Sequence, residues 1–155
     1  MFDIFRDFLK NNKDNYKTKD IKIIVLGDIS KFPEDIQESI KNITKETKDC
    51  KSLIVSIAFN YGSRDEILRA VKLISESKEE INNTNFKKYL YTKDIPDPDI
   101  IIRTSGEMRL SNFLLYQCAY SELYFIKKNW PDFNYNDMVK AINEYGNRNR
   151  RYGAV

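Results

Sequence analysis

The chain contains no histidine. That absence removes the commonest general base, the commonest zinc ligand and every Ser-His or Cys-His nucleophile pair, so hydrolases built on those arrangements are excluded. Cysteine is almost as scarce. Cys50 and Cys118 stand far apart, and neither sits in a CxxC or metal-type spacing; reduced, structural thiols in a cytosolic setting are the expectation. No run approaches the ~18 apolar residues that a membrane helix needs. The opening "MFDIFRDFLKNNKDN" has charges where a secretory leader has its apolar centre. A cytoplasmic protein is expected. A large excess of one charge is also lacking: 26 basic residues stand against 23 acidic ones, for a net charge of +3. Affinity for anions must therefore come from local clusters, and a nucleic-acid coat is not suggested.

What is present suits a globular protein. The chain has 155 residues, 41% hydrophobic, 32% charged and 13% aromatic, which predicts one domain spanning 1–155. Phe2, Ile4, Phe5, Phe8 and Leu9 fall near helical spacing, and Lys10 to Asp20 reads as a solvated loop. "IKIIVLGD" then reads as a buried strand. "FPEDIQESIKNITKETKD" opens on Pro33 with acids early and lysines late, as a helix dipole prefers. "SLIVSIAFNYG" is a second strand. "RDEILRAVKLISES" returns to helical period, with Ile67, Leu68, Val71, Leu73 and Ile74 as its apolar face. A short helix is expected around Phe86 to Tyr91, and Pro96 and Pro98 force an extended entry to the strand "DIIIRT". "SNFLLYQCAY" reads as a helix, "SELYFI" as a short strand and "NYNDMVKAINEYGNRNRRYG" as a terminal helix. The alternation predicts an α/β fold with a mostly parallel sheet flanked by helices.

The chemistry concentrates in "PDIIIRTSGEMRLSNFLLYQ". Consecutive apolar residues mark a strand covered on both faces, and in such sheets ligands bind beyond the carboxyl ends of the strands. Arg103 stands there. Thr104, Ser105 and Gly106 make the turn, Arg109 follows, and Ser111 is placed as N-cap of the next helix. Two guanidinium groups, a hydroxyl and a helix N-terminus suit phosphate or diphosphate. The alternative is that the arginines pair with Glu107 or nearby acids and Ser111 only caps. Glu122 begins the following strand and can return to the same end of the sheet. There it is either a Mg2+ ligand beside a diphosphate or a paired, solvated acid.

These residues resemble a known family. "PDIIIRTSGEMRLSNFLLYQCAYSELYFIKKNWPDF" is similar to the C-terminal motif of the cis-prenyltransferases, the undecaprenyl diphosphate synthase type of isoprenyl transferase. "FNYGSRDEI" resembles their central motif, "IIVLGDISKFP" their preceding strand and turn, and "RRYG" their final Arg-x-Gly, so the likeness runs from Phe2 to Gly153. The resemblance implies Mg2+-dependent cis condensation of isopentenyl diphosphate with an allylic diphosphate such as farnesyl diphosphate, yielding a polyprenyl diphosphate. It implies a homodimer that meets the membrane through its lipid product. By position, Arg103, Arg109 and Ser111 would hold isopentenyl diphosphate, Glu122 would bind Mg2+ at an interface shared with the neighbouring subunit, and Arg151 and Gly153 would reach across the dimer to the diphosphate. The matches to Asn60, Tyr61, Gly62 and Arg64 are read as architecture, with Gly62 as a turn glycine, and Trp130 to Phe133 as packing that fixes the terminal helix.

The family also carries a Met-Asp-Gly-Asn-x-Arg loop, whose aspartate is its central catalytic residue, and a Ser-x-Glu-Asn motif; neither occurs in these residues. Ser63 stands where the family usually has a second glycine, and Tyr116 where it has tryptophan. The expectation is an N-terminally truncated version of that fold, carrying the isopentenyl diphosphate half of the site and no catalytic residue of its own, with apolar strand surface left exposed. The alternative is a non-catalytic subunit or degenerate fragment that binds diphosphate or a partner without turnover.

Overall fold

In the computed structural model, residue 6 and residues 15–149 are described. The amphipathic N-terminal segment falls outside the described residues apart from helical Arg6, and Arg151 and Gly153 fall outside them as well. Contacts divide the chain into two units, Met1–Tyr61 and Gly62–Val155. Each is mixed α/β with a pair of parallel strands.

The first unit is strand, helix, strand. The β-branched run of β1 (Ile21–Leu26) and that of β2 (Leu53–Ala58) pair in parallel from Ile21 opposite Leu53 to Leu26 opposite Ala58. Helix α1 (Glu34–Glu46) connects them, with Pro33 at its N-cap, Glu34 and Asp35 in its first turn and Lys45 in its last. Ile36, Ile40 and Ile43 recur at helical spacing and close over Ile23, while Phe32 meets Phe59 edge to face at 5.0 Å. Each buried isoleucine contributes about 2 kcal/mol. Thr47, fully buried, joins helix to strand: its hydroxyl donates to Ile43 O at 2.8 Å and accepts from Ile23 N at 3.0 Å. Asp20 pins the start of β2 by accepting from the backbone N–H groups of Lys51 and Ser52. Gly27 ends β1 at φ 117°, where a Cβ would lie 2.2 Å from Phe59 O. Expected apolar exposure is found on β2, where Leu53 and Ile54 lie open.

The second unit begins with α2 (Ser63–Ser77) and α3 (Asn83–Lys87), the latter starting a little before the expected short helix. The apolar face of α2 differs from expectation: Glu66, Ala70 and Ile74 are buried, while Leu68 and Val71 are exposed. A carboxylate occupies the inward stripe because partners for it lie inside, as described below. Strands β3 (Ile100–Arg103) and β4 (Glu122–Phe125) pair in parallel, and helix α4 (Tyr135–Asn147) follows. Of the isoleucines in β3 only Ile101 is fully buried. Asn134 and Asp137 form a capping box at the start of α4, and Lys128 adds an ion pair to the buried Asp137 at 2.8 Å. That box fixes the helix start. Trp130 is largely exposed, stacked on Phe133 at 5.7 Å, so the expected packing role of its indole is not met.

The helix expected over "SNFLLYQCAY" is absent: residues 111–120 form successive turns. Ser111, Asn112 and Leu114 take φ of 49°, 64° and 47°, values that no right-handed helix accommodates. The apolar periodicity is real, but the segment closes only isolated turns, such as Cys118 N to Leu114 O at 2.8 Å, and Asn112 and Leu115 bond to Ser63 instead.

Candidate functional site

Strand β3 delivers Arg103 to its carboxyl end, and the turn after it is tied to the exit of β4. Ile126 N donates to Arg103 O at 2.9 Å, Ser105 N to Lys128 O at 2.7 Å and Gly106 N to Ile126 O at 2.9 Å. Ser105 and Gly106 both sit at φ 70°, reversing the chain tightly so that Arg109 comes back toward Arg103. The two arginines line one cavity of about 600 Å³ with Thr104 and Ser105, against apolar walls that include Ile102 and Leu110. Such a pocket offers paired N–H donors over an apolar floor, an arrangement suited to an anion carrying a hydrocarbon tail.

Arg109 forms an ion pair with Glu107, and both side chains are substantially exposed. The pairing considered from the sequence therefore exists for Arg109. An exposed pair of this kind is worth at most about 1 kcal/mol, a small barrier to exchanging the carboxylate for a more highly charged ligand. Ser111 is exposed, is not among the cavity-lining residues and starts no helix. The helix N-terminus expected beside the arginines is thus not part of this site.

Glu122 differs in position from the expectation. In the parallel register it stands opposite Ile100, whereas Arg103 stands opposite Phe125, so the backbone positions of the two residues are three residue steps apart, about 10 Å along the strands. Glu122 accepts from Arg148 Nη1 at 2.8 Å, and Arg148 also donates to Glu144 at 2.6 Å. Those two carboxylates raise the Arg148 pKa further above its ordinary value. Among the described residues no group of three or more His, Cys, Asp or Glu side chains could hold a metal ion. Glu122 fits a Mg2+ site only as one oxygen donor among ligands from elsewhere, which is common for a cation that takes much of its shell from phosphate and water.

The residues that hold the site loop were not singled out from the sequence. Asn112 bonds the start of α2: Ser63 N donates to its carbonyl at 2.9 Å and Arg64 N to its Oδ1 at 2.9 Å. Gln117 Nε2 donates to Glu66 Oε2 and to Thr92 Oγ1, both at 3.0 Å, and all three residues are buried. One signal was available, a glutamine inside the apolar run "FLLYQCAY". The glycine of the central motif also has a different purpose from the one expected. Gly62 has an ordinary φ of −144°, but a Cβ there would lie 2.8 Å from Asn112 Nδ2 and 2.9 Å from Asp65 Oδ2, so close approach by two side-chain ends, rather than turn geometry, favours glycine.

Comparison with known proteins bears on the whole chain. Residues 1–153 match the family model described as putative undecaprenyl diphosphate synthase. An isoprenyl transferase of Clostridium perfringens is 47% identical over 156 aligned positions, covering 96% of this chain but 62% of that relative. The chain thus spans less than two thirds of that relative's length. The crystal structure of a probable undecaprenyl diphosphate synthase from Campylobacter jejuni superposes with a TM-score of 0.89 at 34% identity, covering 98% of this chain and 72% of that one. Lavandulyl diphosphate synthase from Lavandula x intermedia, solved in complex with dimethylallyl diphosphate, gives a TM-score of 0.89 at 32% identity, covering 95% and 67%.

Proposed function

Because the chain belongs to the undecaprenyl diphosphate synthase family of isoprenyl transferases, we propose that it serves prenyl transfer by binding isopentenyl diphosphate, the unit added to an allylic diphosphate in cis condensation. The observation that carries this reading is the shared cavity of Arg103 and Arg109 at the carboxyl end of β3. Each guanidinium presents a planar fork of N–H donors matched to diphosphate oxygens, and the apolar wall accepts the isopentenyl group. Arg109 leaves Glu107 for the more highly charged diphosphate, while Ser111, which does not line the cavity, is assigned to the same ligand by its position in the family motif. The dimethylallyl diphosphate bound to the lavender enzyme is an allylic diphosphate, which supports that class for the second substrate.

The other family assignments belong to the same proposal. Mg2+, when bound, neutralises diphosphate charge, and Glu122 would be one of its oxygen donors. Glu122 and Arg103 occupy opposite ends of the β3–β4 pair, and Glu122 is assigned to a Mg2+ site shared with a second copy of the chain in a homodimer. Arg151 and Gly153 are assigned to the same diphosphate across that dimer. Both units are assigned to one cis-prenyltransferase domain working in the cytoplasm, in contact with the membrane through its lipid product. No helix among the described residues is long and apolar enough to cross a membrane.

These 155 residues contain no Met-Asp-Gly-Asn-x-Arg loop, so binding without elongation is the expected behaviour of the chain as given. Calorimetric titration with isopentenyl diphosphate and Mg2+ should show binding, weakened about a hundredfold in Arg103→Ala, since a lost ionic hydrogen-bond donor costs a few kcal/mol. Incubation with labelled isopentenyl diphosphate, farnesyl diphosphate and Mg2+ should give no polyprenyl product. Efficient elongation would overturn the assignment of half a site, and unchanged affinity in Arg103→Ala would overturn the assignment of the anion.

A further inference from the structure

The loop from Thr104 to Ser121 adopts a shape that its own backbone disfavours. Ser105, Ser111, Asn112 and Leu114 all occupy the left-handed region, which crowds the Cβ of any residue but glycine, and Leu114 has no polar side chain to offset the cost. Bonds from outside the loop must hold it: those to Ser105 and Gly106 come from the exit of β4, and those around Asn112 to Gln117 come mainly from the first two turns of α2. Asn112 accepts from the N–H groups of Ser63 and Arg64 through its carbonyl and its Oδ1, each at 2.9 Å. Leu115 N donates to Ser63 Oγ at 3.0 Å. One turn further on, the buried Glu66 accepts from Gln117 Nε2 at 3.0 Å through one oxygen and from Tyr91 N at 2.7 Å through the other.

Of the loop residues bonded to α2, Asn112 is the closest in sequence to Arg109. Its position in the chain is unusual for a helix cap, since it serves α2 from 48 residues away; Gly62, the N-cap by position, makes no side-chain cap. The space that a side chain at 62 would fill is shared by the Asn112 amide, 2.8 Å from the place of the missing Cβ, and the Asp65 carboxylate, 2.9 Å from it. Two of the free amides at the start of α2, those of Ser63 and Arg64, are thereby spent on the loop rather than on solvent or ligand. The same residue sets the backbone immediately after Ser111, within three positions of Arg109.

We propose that Asn112 is a positioning residue for the diphosphate site, which, by capping α2 across the chain, holds Arg109 in its binding geometry without touching the ligand. This rests on the reading of Arg103 and Arg109 as the isopentenyl diphosphate site. A purely structural cap would change stability and amide protection but leave affinity alone, whereas a positioning residue changes affinity as well.

The test uses the full 155-residue chain and three variants: Asn112→Gly, which keeps the left-handed backbone and deletes the amide; Gly62→Ala, which displaces the amide; and Arg103→Ala. Affinity for isopentenyl diphosphate is measured by calorimetry well below the melting temperature, and hydrogen exchange is followed at the Arg64 amide. Asn112→Gly should speed exchange at Arg64 and weaken binding about tenfold, with Gly62→Ala showing the same two changes to a smaller degree. Faster exchange with unchanged affinity, or unchanged exchange, overturns the positioning role. If Asn112→Gly does not fold, Gly62→Ala decides by the same two criteria. Unchanged affinity in Arg103→Ala instead overturns the underlying reading of the site.

Discussion

The strand-helix-strand unit and the site loop solve the same problem by opposite means. From Ile21 to Ala58 the backbone hydrogen bonds run mainly within regular elements, along the β1–β2 ladder and through the turns of α1. The side chains mostly supply apolar contact, with Thr47 and Asp20 as local pins. From Thr104 to Ser121 there is no regular element, and single side chains distant in sequence do the holding: Asn112 to Arg64, Ser63 to Leu115, Gln117 to Glu66. Regular structure spreads its stability over many equivalent bonds. An irregular loop concentrates it in a few, which allows two arginines to be brought round one cavity but leaves each support individually important.

The sharpest way to break that contrast is to strike the regular unit at its least tolerant backbone position. Gly27→Ala would force a Cβ to within 2.2 Å of Phe59 O at a φ of 117°, and it should cost about 3 kcal/mol or more. Urea unfolding measures it; a loss well under 1 kcal/mol would mean that the junction after β1 relaxes freely. Thr47→Val probes a side-chain pin in the same unit. Shape is nearly preserved, yet Ile23 N loses its acceptor, for an expected loss of about 1 to 2 kcal/mol. A neutral result would show that this unit depends on its ladder and apolar core alone.

The smallest effect is expected at Asp137 in the second unit, and it depends on pH. The Lys128 ammonium, followed by the N–H of Asn134, holds the Asp137 carboxyl below the usual carboxylate range. A folded-state pKa below the unfolded value of about 4 stabilises the protein above that value, and the contribution is lost as pH falls through the folded one. Asp137→Asn should therefore lower the urea midpoint near about pH 6, and the gap to the unsubstituted chain should narrow toward about pH 3. A gap independent of pH would assign the role of Asp137 to packing rather than to charge.

The same contrast explains what could be read from the sequence. The runs "IKIIVLGD" and "SLIVSIAFNYG", with a dipole-matched helix between them, are legible as strands because branched residues and apolar continuity agree there, even though β2 keeps Leu53 and Ile54 exposed. Parallel pairing was legible for the same reason, and so was the placing of Arg103 at a strand end. "SNFLLYQCAY" misled because its apolar spacing fits a helix, whereas its bonding partners, Ser63, Glu66 and Thr92, lie far away in the chain. Single-sequence reasoning weighs local preference and cannot weigh a cap that arrives from elsewhere. The inward face of α2 was misjudged for the matching reason: Glu66 looks like a solvent residue until Gln117 and the Tyr91 amide are known to meet it. Glu122 was assigned to the end of the sheet occupied by Arg103, although a residue that begins a parallel strand must lie at the end where its neighbour also begins.

The left-handed backbone of the site loop has a consequence for transplantation. A synthetic peptide covering residues 98–121 would carry Arg103, Arg109 and Ser111, all the charge and hydroxyl chemistry of the motif. It would lack Ser63, Arg64 and Glu66, and with them the bonds that keep Asn112 and Leu114 at positive φ. Released from those bonds the peptide relaxes into ordinary extended or helical conformers, and its arginines disperse. The motif is therefore not a portable cassette: grafting it into another scaffold requires that the first two turns of α2 travel with it.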